Sequence, residues 1–246
     1  MRLFLAGLAL AAVLPSSCSL PPPGAGDGSG ALSAGSSFPT VIRPLSCQGY
    51  VALSIDDGPT RTSDLLLEAL SYYKVPVIFF NTGEHSLLLP AVVARERQLP
   101  GVQFGNHSWD HPDLSTLSPE QVRSQLQRTR AIQGEQVTFF RPPFGSANAM
   151  VDKEVAAAGL TEVLWTHDSK DYDALSTDQI VEQSRGMTDG GILLLHDRPL
   201  TAEALPAIIG SYYAKNLCFG KVVTSATPQA PIDSPDQLFN ARAAAP

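Results

Sequence analysis

Short apolar runs alternate with longer amphipathic segments from residue 49 onward. The short runs, rich in β-branched residues, occupy residues 50–55, 75–80, 102–104, 137–140, 161–165, 192–195 and 221–223. The segments between them, with apolar positions at helical spacing, occupy residues 64–73, 87–98, 119–133, 149–158, 178–185 and 202–214. This pattern predicts seven strands and six helices. Strands joined by helices of this length pair in parallel, so we expect an α/β fold.

The helix predicted over residues 119–133 carries end signals of its own. Ser118 is suited to the N-cap, Pro119 to the first helical position and Gln121 to the partner position of a capping box. Gly134 follows as a C-cap. These signals predict both ends of the helix as well as its existence.

Polar and ionisable side chains follow five of the predicted strands, in each case at the carboxyl end. They are Asp56, Asp57, Asn106, His107, Arg141, Asp168, Asp171, His196 and Asp197. The carboxyl ends of parallel strands meet on one face of a sheet or barrel, where ligands bind. We therefore expect residues that are far apart in the sequence to share one site.

Composition and charge exclude several classes of protein. The 246 residues suffice for one ordinary domain with extensions, and 43% of them are hydrophobic against 17% charged, which is typical of a chain with a substantial core. The formal net charge of -7 has the wrong sign for neutralising phosphates, so we expect no nucleic-acid partner. We expect a monomer.

The amino-terminal 18 residues have the order of an export signal. Arg2 precedes an apolar run over residues 3–14, and small residues follow it. The run is shorter than the roughly 20 residues that span a bilayer, so we expect no transmembrane helix in the mature protein. Cys18 resembles the lipidated cysteine of bacterial lipoproteins, although Pro15 stands where an aliphatic residue is usual; an ordinary cleavage site is the alternative. Either reading predicts an exported protein, secreted or attached to the cell envelope.

The rest of the chain divides by composition into three parts. Residues 19–46 are rich in proline, glycine and serine and predict a flexible linker. Residues 47–224 hold the strand and helix pattern and predict one globular domain. Residues 225–246 predict a flexible tail. Cys47 and Cys218 would form a disulfide in an oxidising compartment, two separately buried thiols being the alternative.

A metal site is the first chemistry that the polar residues suggest. His107 and His111 are four residues apart, a spacing that lets both imidazoles bind one cation from a helix or from a turn. Asp56 or Asp57 would complete the ligand set, with the other carboxylate free to act as a base. The same ligand types hold zinc in hydrolases and iron in oxygenases, and the surrounding acid and base groups favour hydrolysis.

Five short motifs follow one another along the chain at residues 54–59 (SIDDGP), 107–111 (HSWDH), 141–144 (RPPF), 168–172 (DSKDY) and 194–196 (LLH). In sequence and order they resemble the motifs of the polysaccharide deacetylase family, also called the NodB homology domain or carbohydrate esterase family 4. The placement of Cys47 and Cys218 further resembles the secreted acetylxylan esterase and chitooligosaccharide deacetylase branch. The resemblance implies a distorted (β/α) barrel and removal of acetyl groups from a polysaccharide or oligosaccharide.

The resemblance also implies a role for each motif residue. One divalent metal, zinc with cobalt or nickel as alternatives, would be bound by Asp57, His107 and His111. Asp56 would be the general base, paired with Arg141. His196 would be the general acid, supported by Asp171. A main-chain N–H at Phe144 would bind the oxyanion, and the substrate groove would be formed by Phe144, Pro143, Tyr172 and Leu194.

Some residues depart from the family pattern or have no assigned role. Phe144 replaces the usual tyrosine, which removes a hydroxyl but keeps the main-chain oxyanion donor. Tyr172 replaces the usual tryptophan, which should alter the sugar-facing wall. His85 follows a strand without a clear partner. Asp110 and Asp197 either orient neighbouring histidines or face solvent.

Two other functions fit parts of the pattern. A catalytically silent carbohydrate-binding envelope protein would explain the linker and the altered groove. A glycosidase with a carboxylate pair would cut chains without a metal.

Overall fold

The computed structural model describes residues 38–223 and the backbone of one further strand. Its strands are β1 Gly49–Asp56, β2 Val77–Asn81, β3 Gln103–Asn106, β4 Phe139–Phe140, β5 Thr161–Glu162, β6 His167–Asp168, β7 Ile192–His196, β8 Leu217–Phe219, β9 Lys221–Val223 and β10 Leu238–Asn240. Its α-helices are α1 Ser63–Tyr73, α2 Gly83–Leu88, α3 Pro90–Glu96, α4 Pro119–Gln133, α5 Ala149–Ala157, α6 Thr177–Ser184 and α7 Pro199–Tyr213. Short 3-10 turns lie at Leu114–Thr116 and Pro143–Gly145.

Seven parallel strands curl into a half-barrel with helices around it. Their order is β5-β4-β3-β2-β1-β7-β6, and β8 pairs in parallel with the first residues of β1. The predicted α/β class and the distorted barrel of about seven parallel strands are confirmed. All carboxyl ends in this sheet point the same way, which is the arrangement needed to gather the polar residues at one face.

The central strand β1 is buried on both faces of the sheet. Every residue of β1 is buried. Val51, Leu53 and Ile55 pack in the larger core cluster with residues of α1 and α7, whereas Tyr50 and Ala52 belong to a second cluster. Successive strand side chains point to opposite faces, so a continuous apolar run is what a strand buried on both sides requires.

Most of the predicted helices form, and α4 forms over the residues predicted. Ser118 and Gln121 make the reciprocal capping box, and Gly134 follows the last helical residue. The single helix predicted over residues 87–98 is wrong. The structure has two helices there, because Leu89 precedes Pro90 and is held outside the helical conformation. Thr82 caps the first of them by accepting a hydrogen bond from the amide of His85.

The sheet also differs from the prediction at its last strands. The structure adds β6 and β8, which at two and three residues are too short to register as apolar runs. The predicted strand over residues 221–223 forms but leaves the main sheet and pairs with β10. The sequence predicted no strand at β10; the other residues of the predicted tail lie outside the described residues.

Both ends of the domain are tied to the barrel. A disulfide joins Cys47 to Cys218, with their Cα atoms 5.6 Å apart. Phe38 and Val41, in the last part of the predicted linker, pack against the larger core cluster. The ordered unit thus begins before residue 47, because apolar side chains there find a buried surface.

Several predictions fall on residues that the structure does not describe. The export signal over residues 1–18, Cys18 and the first part of the linker all lie outside the described residues. Among the residues that are described, no helix has the length and apolar character needed to cross a membrane.

Glu96 gives the fold a pH dependence of its own. This side chain is fully buried, Oε2 accepts a hydrogen bond from Asn81 (2.8 Å), and Oε1 has no partner. Burial raises the pKa of Glu96 to about 8 despite the hydrogen bond from Asn81, and the charge of Asp197 adds to the increase. The unfolded chain releases this proton near pH 4.5, so Glu96 destabilises the fold progressively as the pH rises from about 4.5 to 8.

Glu96→Gln should therefore stabilise the protein at pH 8 and have little effect at pH 4.5. The neutral amide avoids burying a carboxylate, and we expect a gain on the order of a few kcal/mol, or several degrees in Tm. Thermal melting across this pH range measures it, with the exposed Glu84→Gln as the control. A Tm difference that does not change with pH would contradict the prediction.

Candidate active site

The loop after β1 turns two adjacent carboxylates toward one pocket. Asp56 is the last residue of the strand, and Asp57 follows it with φ 67°. In a continuing strand the two side chains would point to opposite faces. The left-handed backbone at Asp57 ends that alternation, and both aspartates line the same cavity. Such a conformation costs free energy for a non-glycine residue and persists only where neighbours hold it.

The loop after β3 presents the two histidines from a turn and not from a helix. Ser108 and His111 both have left-handed backbone, with φ 64° and 60°. The side chain of Asn106 accepts from the amide of Ser108 (3.0 Å), and Ser108 Oγ accepts from the amide of His111 (3.1 Å). These local bonds hold the turn and bring His107 and His111 within 4.9 Å of each other, centroid to centroid.

Asp57, His107 and His111 form a cluster suited to a metal. Asp57 Oδ1 lies 3.5 Å from His107 Nε2 and 3.2 Å from His111 Nε2, and all three ligand atoms lie within 4.8 Å of one another. Asp57 Oδ1 is buried without a hydrogen-bond partner. Burial alone would raise the pKa of Asp57, but the nearby imidazoles of His107, His111 and His196 lower it strongly. The residues fit a divalent cation with nitrogen and oxygen ligands.

The tautomer of His107 also suits a metal ligand. Its Nδ1 lies 2.7 Å from the main-chain oxygen of Arg141. A carbonyl oxygen can only accept, so Nδ1 carries the proton and Nε2 keeps its lone pair on the side of Asp57. The pKa of His111 is lowered, chiefly by burial and then by the charge of His107, which also favours the neutral imidazole that metals bind.

Arg141 is a fully buried guanidinium that pairs with Asp56. Its Nη1 donates to Asp56 Oδ1 (2.7 Å) and to Ser54 Oγ (2.8 Å). Its Nε and Nη2 donate to the main-chain oxygens of Val163 (2.9 Å) and Leu164 (3.0 Å). A buried charge is tolerated when it is paired and hydrogen-bonded, and each of the three nitrogens of Arg141 donates a hydrogen bond. The other carboxylate oxygen, Asp56 Oδ2, lies 3.7 Å from His107 Nε2.

His196 and Asp171 form the second charged pair of the pocket. His196 Nδ1 donates to Asp171 Oδ1 (2.6 Å), and the amide of His196 donates to Asp171 Oδ2 (2.7 Å). Thr201 on α7 donates a further hydrogen bond to Oδ2 (2.6 Å). Burial would lower the pKa of His196, but the hydrogen bond and charge of Asp171 outweigh it and raise the pKa.

One cavity of about 390 Å³ is lined by the Asp57–His107–His111 cluster and by one member of each charged pair, Asp56 and His196. It is lined by Asp56, Asp57, His107, His111, Pro142, Phe144, Gly145, Trp165, Asp168, Tyr172, Leu194, His196 and Arg198. Phe144 and Tyr172 form exposed aromatic walls, and their rings contact His111 and His196 edge to face. Asp171 and Arg141 lie buried behind the pocket.

Three of the four predicted groove residues line the cavity, and the fourth is buried beside it. Phe144, Tyr172 and Leu194 line the cavity, whereas Pro143 is buried and its neighbour Pro142 faces the cavity instead. Arg198, at the start of α7, was not predicted; an exposed arginine two residues after a motif carries no distinctive signal. Asp168 was recognised as a residue at a strand end but not as part of the wall.

The structure also shows the surroundings of Asp197 and Asp110, whose roles the sequence left open. Asp197 neither faces solvent nor orients a histidine: it is buried and accepts from the amide of Thr60 (3.0 Å) and the hydroxyl of Ser63. It therefore holds the loop that follows Asp57. Asp110 is exposed and accepts a hydrogen bond from Gln125 (2.7 Å).

Comparison with known proteins identifies the family to which this architecture belongs. The family model described as polysaccharide deacetylase matches residues 46–163. A family 4 carbohydrate esterase from Streptomyces lividans, solved in complex with acetate, superposes with a TM-score of 0.69 at 36% identity, covering 72% of this chain and 95% of that one. The chain belongs to the polysaccharide deacetylase family. The resemblance predicted from the five motifs is thereby confirmed.

Two curated members of the polysaccharide deacetylase family show the range of named substrates. The bifunctional xylanase/xylan deacetylase of Cellvibrio japonicus is 32% identical over 184 residues, or 72% of this chain and 28% of that protein. The peptidoglycan-N-acetylglucosamine deacetylase of Listeria monocytogenes is 34% identical over 160 residues, or 63% of this chain and 34% of that protein. The chain thus spans about a third or less of the length of these relatives.

Proposed function

We propose that this protein is a metal-dependent deacetylase that hydrolyses acetyl groups from a polysaccharide or oligosaccharide. The observation that carries the proposal is the convergence of three features on one pocket. They are the Asp57, His107 and His111 cluster, the Asp56–Arg141 pair and the His196–Asp171 pair. A metal-dependent hydrolase needs a site for a cation, a base and an acid at one place, and the pocket supplies residues suited to each.

Asp57, His107 and His111 would hold one divalent metal. Zinc is the favoured ion, with cobalt or nickel as alternatives, since two imidazoles and one carboxylate leave an open coordination position. When bound, the metal polarises the acetyl carbonyl and makes a water molecule acidic enough to attack near neutral pH. The unpartnered Oδ1 of Asp57 supports this assignment of ligands over one that uses Asp56.

Asp56 would be the general base. Its Oδ1 is held by Arg141, so Oδ2 is the atom available to accept the proton of the attacking water. The guanidinium also supplies the counter-charge of this carboxylate. The new bond joins the water oxygen to the acetyl carbon.

His196 would be the general acid. Asp171 holds the Nδ1–H, so Nε2 would deliver the proton to the departing amine or alcohol as its bond to the acetyl carbon breaks. The raised pKa of His196 favours the protonated form that this role requires. The products are acetate and a free amine or hydroxyl on the sugar.

The walls of the pocket would position the acetylated sugar. We assign the main-chain N–H of Phe144 to the developing oxyanion. The exposed ring of Phe144 and the ring of Tyr172 offer apolar faces on which a sugar can pack. Tyr172 is itself fixed, because its hydroxyl donates to Asp168 Oδ2 (2.9 Å).

We further propose that the protein acts outside the cytoplasm, secreted or attached to the envelope by a lipid on Cys18. The disulfide between Cys47 and Cys218 supports an oxidising compartment. Acetylated polymers of the cell envelope or surroundings, such as xylan, chitin and peptidoglycan, would then be the accessible substrates.

A glycosidase is less consistent with this geometry. Glycosidases place two carboxyl groups on either side of the bond they cut. Here, Asp56 and Asp57 both lie within 3.7 Å of the same His107 nitrogen. One is bound to Arg141 and the other faces two imidazoles, which favours a base and a metal ligand.

Acetate release from acetylxylan, chitooligosaccharide and peptidoglycan tests the proposal. We expect release from at least one polymer, its loss on treatment with a chelator and its recovery when zinc or cobalt is added. Analysis of product length in the same reactions distinguishes deacetylation from chain cleavage. Glycan binding without acetate release, by protein shown to contain metal, would instead favour the catalytically silent carbohydrate-binding protein.

A further inference from the structure

The segment from Thr82 to His85, at the start of α2, bonds to the loop that carries Asp57. The amide of Thr82 donates to the main-chain oxygen of Gly58 (3.1 Å). The side chain of His85 reaches the main-chain oxygen of Asp57, with Nδ1 at 2.9 Å. Since a carbonyl can only accept, the proton of His85 is on Nδ1. One side chain thus binds the backbone of the residue whose carboxylate belongs to the metal cluster.

The same segment bonds to the loop that carries the two histidines. The amide of Gly83 donates to the main-chain oxygen of Ser108 (3.0 Å), and the amide of Glu84 donates to that of Trp109 (2.9 Å). Gly83 permits this approach, because a Cβ atom there would lie 2.6 Å from the ring of Trp109. The Thr82–His85 segment therefore joins both ligand loops to a single helix start.

Both ligand loops need such support. Asp57, Ser108 and His111 all have left-handed backbone, with φ between 60° and 67°. Such a conformation costs free energy for a residue other than glycine and is retained only when surrounding contacts hold it. The bond from His85 is made to Asp57 itself, at the position where the backbone turns and both aspartates are directed into the pocket.

The position of His85 is itself held by the helix. Its amide donates to Thr82 Oγ1 (3.3 Å), which is the N-cap contact of α2. The imidazole is half-buried and lines a smaller cavity beside Asp57 and His111. His85 does not line the catalytic cavity, so it reaches the Asp57 loop from outside that cavity.

We propose that His85 is a positioning residue that fixes Asp57 as a metal ligand. This inference depends on the proposed metal-dependent function. His85 touches neither substrate nor reacting atoms; it acts through the main chain of Asp57. Groups that support metal ligands typically contribute roughly 10- to 100-fold to metal affinity.

Zinc affinity of the purified protein, measured by competition with a chromophoric chelator, tests the role of His85. We expect His85→Leu to weaken zinc binding roughly 10- to 100-fold. His85→Asn, which keeps a donor near the Nδ1 position, should bind within a few-fold of wild type. Excess zinc should restore much of the kcat of His85→Leu, because no group that reacts with substrate has been removed.

His167→Leu is the matched control. His167 also bonds to a main-chain oxygen, that of Gln183 (2.7 Å), but away from the metal cluster, so its loss should leave zinc affinity unchanged. Thermal melting of the metal-free variants shows that each is folded. Wild-type zinc affinity in His85→Leu, or equal weakening in His85→Asn or His167→Leu, would overturn the positioning role. A wild-type protein that binds no zinc would instead overturn the proposed function.

Discussion

Asp56→Asn should lower kcat for acetate release by roughly 10²- to 10⁴-fold while zinc affinity stays close to wild type. The amide cannot accept a proton from the attacking water as a carboxylate does. The three proposed metal ligands are unchanged, because Asp57 and not Asp56 faces both imidazoles. Steady-state kinetics and the zinc content of the same preparation measure the two effects together.

Because Asp56 pairs with the buried Arg141, the stability of Asp56→Asn must be measured together with its activity. Asp56→Asn leaves the guanidinium of Arg141 without its counter-charge, and an uncompensated buried charge is costly. Thermal melting separates lost catalysis from lost structure, and kinetics are compared at a temperature where the variant is fully folded. Asp110→Asn, an exposed carboxylate near the site, serves as the control and should retain activity. Turnover near wild type in folded Asp56→Asn would show that another group is the base.

Asp171→Asn should move the alkaline limb of the kcat/KM profile to lower pH and reduce the maximal rate by about 10²-fold. A general acid works only while protonated, so with His196 as the proposed acid the alkaline limb should follow the pKa of His196. Burial lowers this pKa, and the hydrogen bond and charge of Asp171 raise it by more. Removing the charge of Asp171 leaves burial opposed only by the charges of Asp56 and Asp57, so the neutral imidazole should appear at lower pH.

The pH profile of Asp171→Asn distinguishes this role from a structural one. A merely structural loss would lower the rate at every pH and leave the limbs in place. Asp173→Asn, an exposed neighbour, should keep the wild-type profile. An unchanged alkaline limb in Asp171→Asn would show that His196 is not the acid whose titration limits the reaction.

Much of the fold could be predicted because its signals are local. The cap residues Ser118 and Gln121 and the apolar spacing of α4 lie within 16 residues of one another, and the helix forms where they indicate. The strands β6 and β8 were missed for the opposite reason. They contain two and three residues and exist because longer strands beside them supply hydrogen-bond partners.

The candidate site was likewise predictable in part: its residue types could be read from local motifs, but their arrangement could not. The residue types were visible as motifs, since each polar group follows a strand directly. Which aspartate faces the histidines was left open by the residues themselves, because strand alternation alone sends Asp56 and Asp57 to opposite sides. The family resemblance assigned Asp57, and the left-handed turn at that residue is what brings its carboxylate to His107 and His111.

The sequence by itself determined the α/β class, the parallel order of strands and helices, and the identities of the groups that could bind a metal or move a proton. These follow from periodicity and from motifs within single segments. Only the tertiary structure decided the contact of His85 with Asp57, the burial of Asp197 under the β1 loop and the tautomer of His107 set by the Arg141 carbonyl. Each of these is a hydrogen bond between segments 28 to 137 residues apart, and such bonds exist only once the half-barrel has brought those segments together.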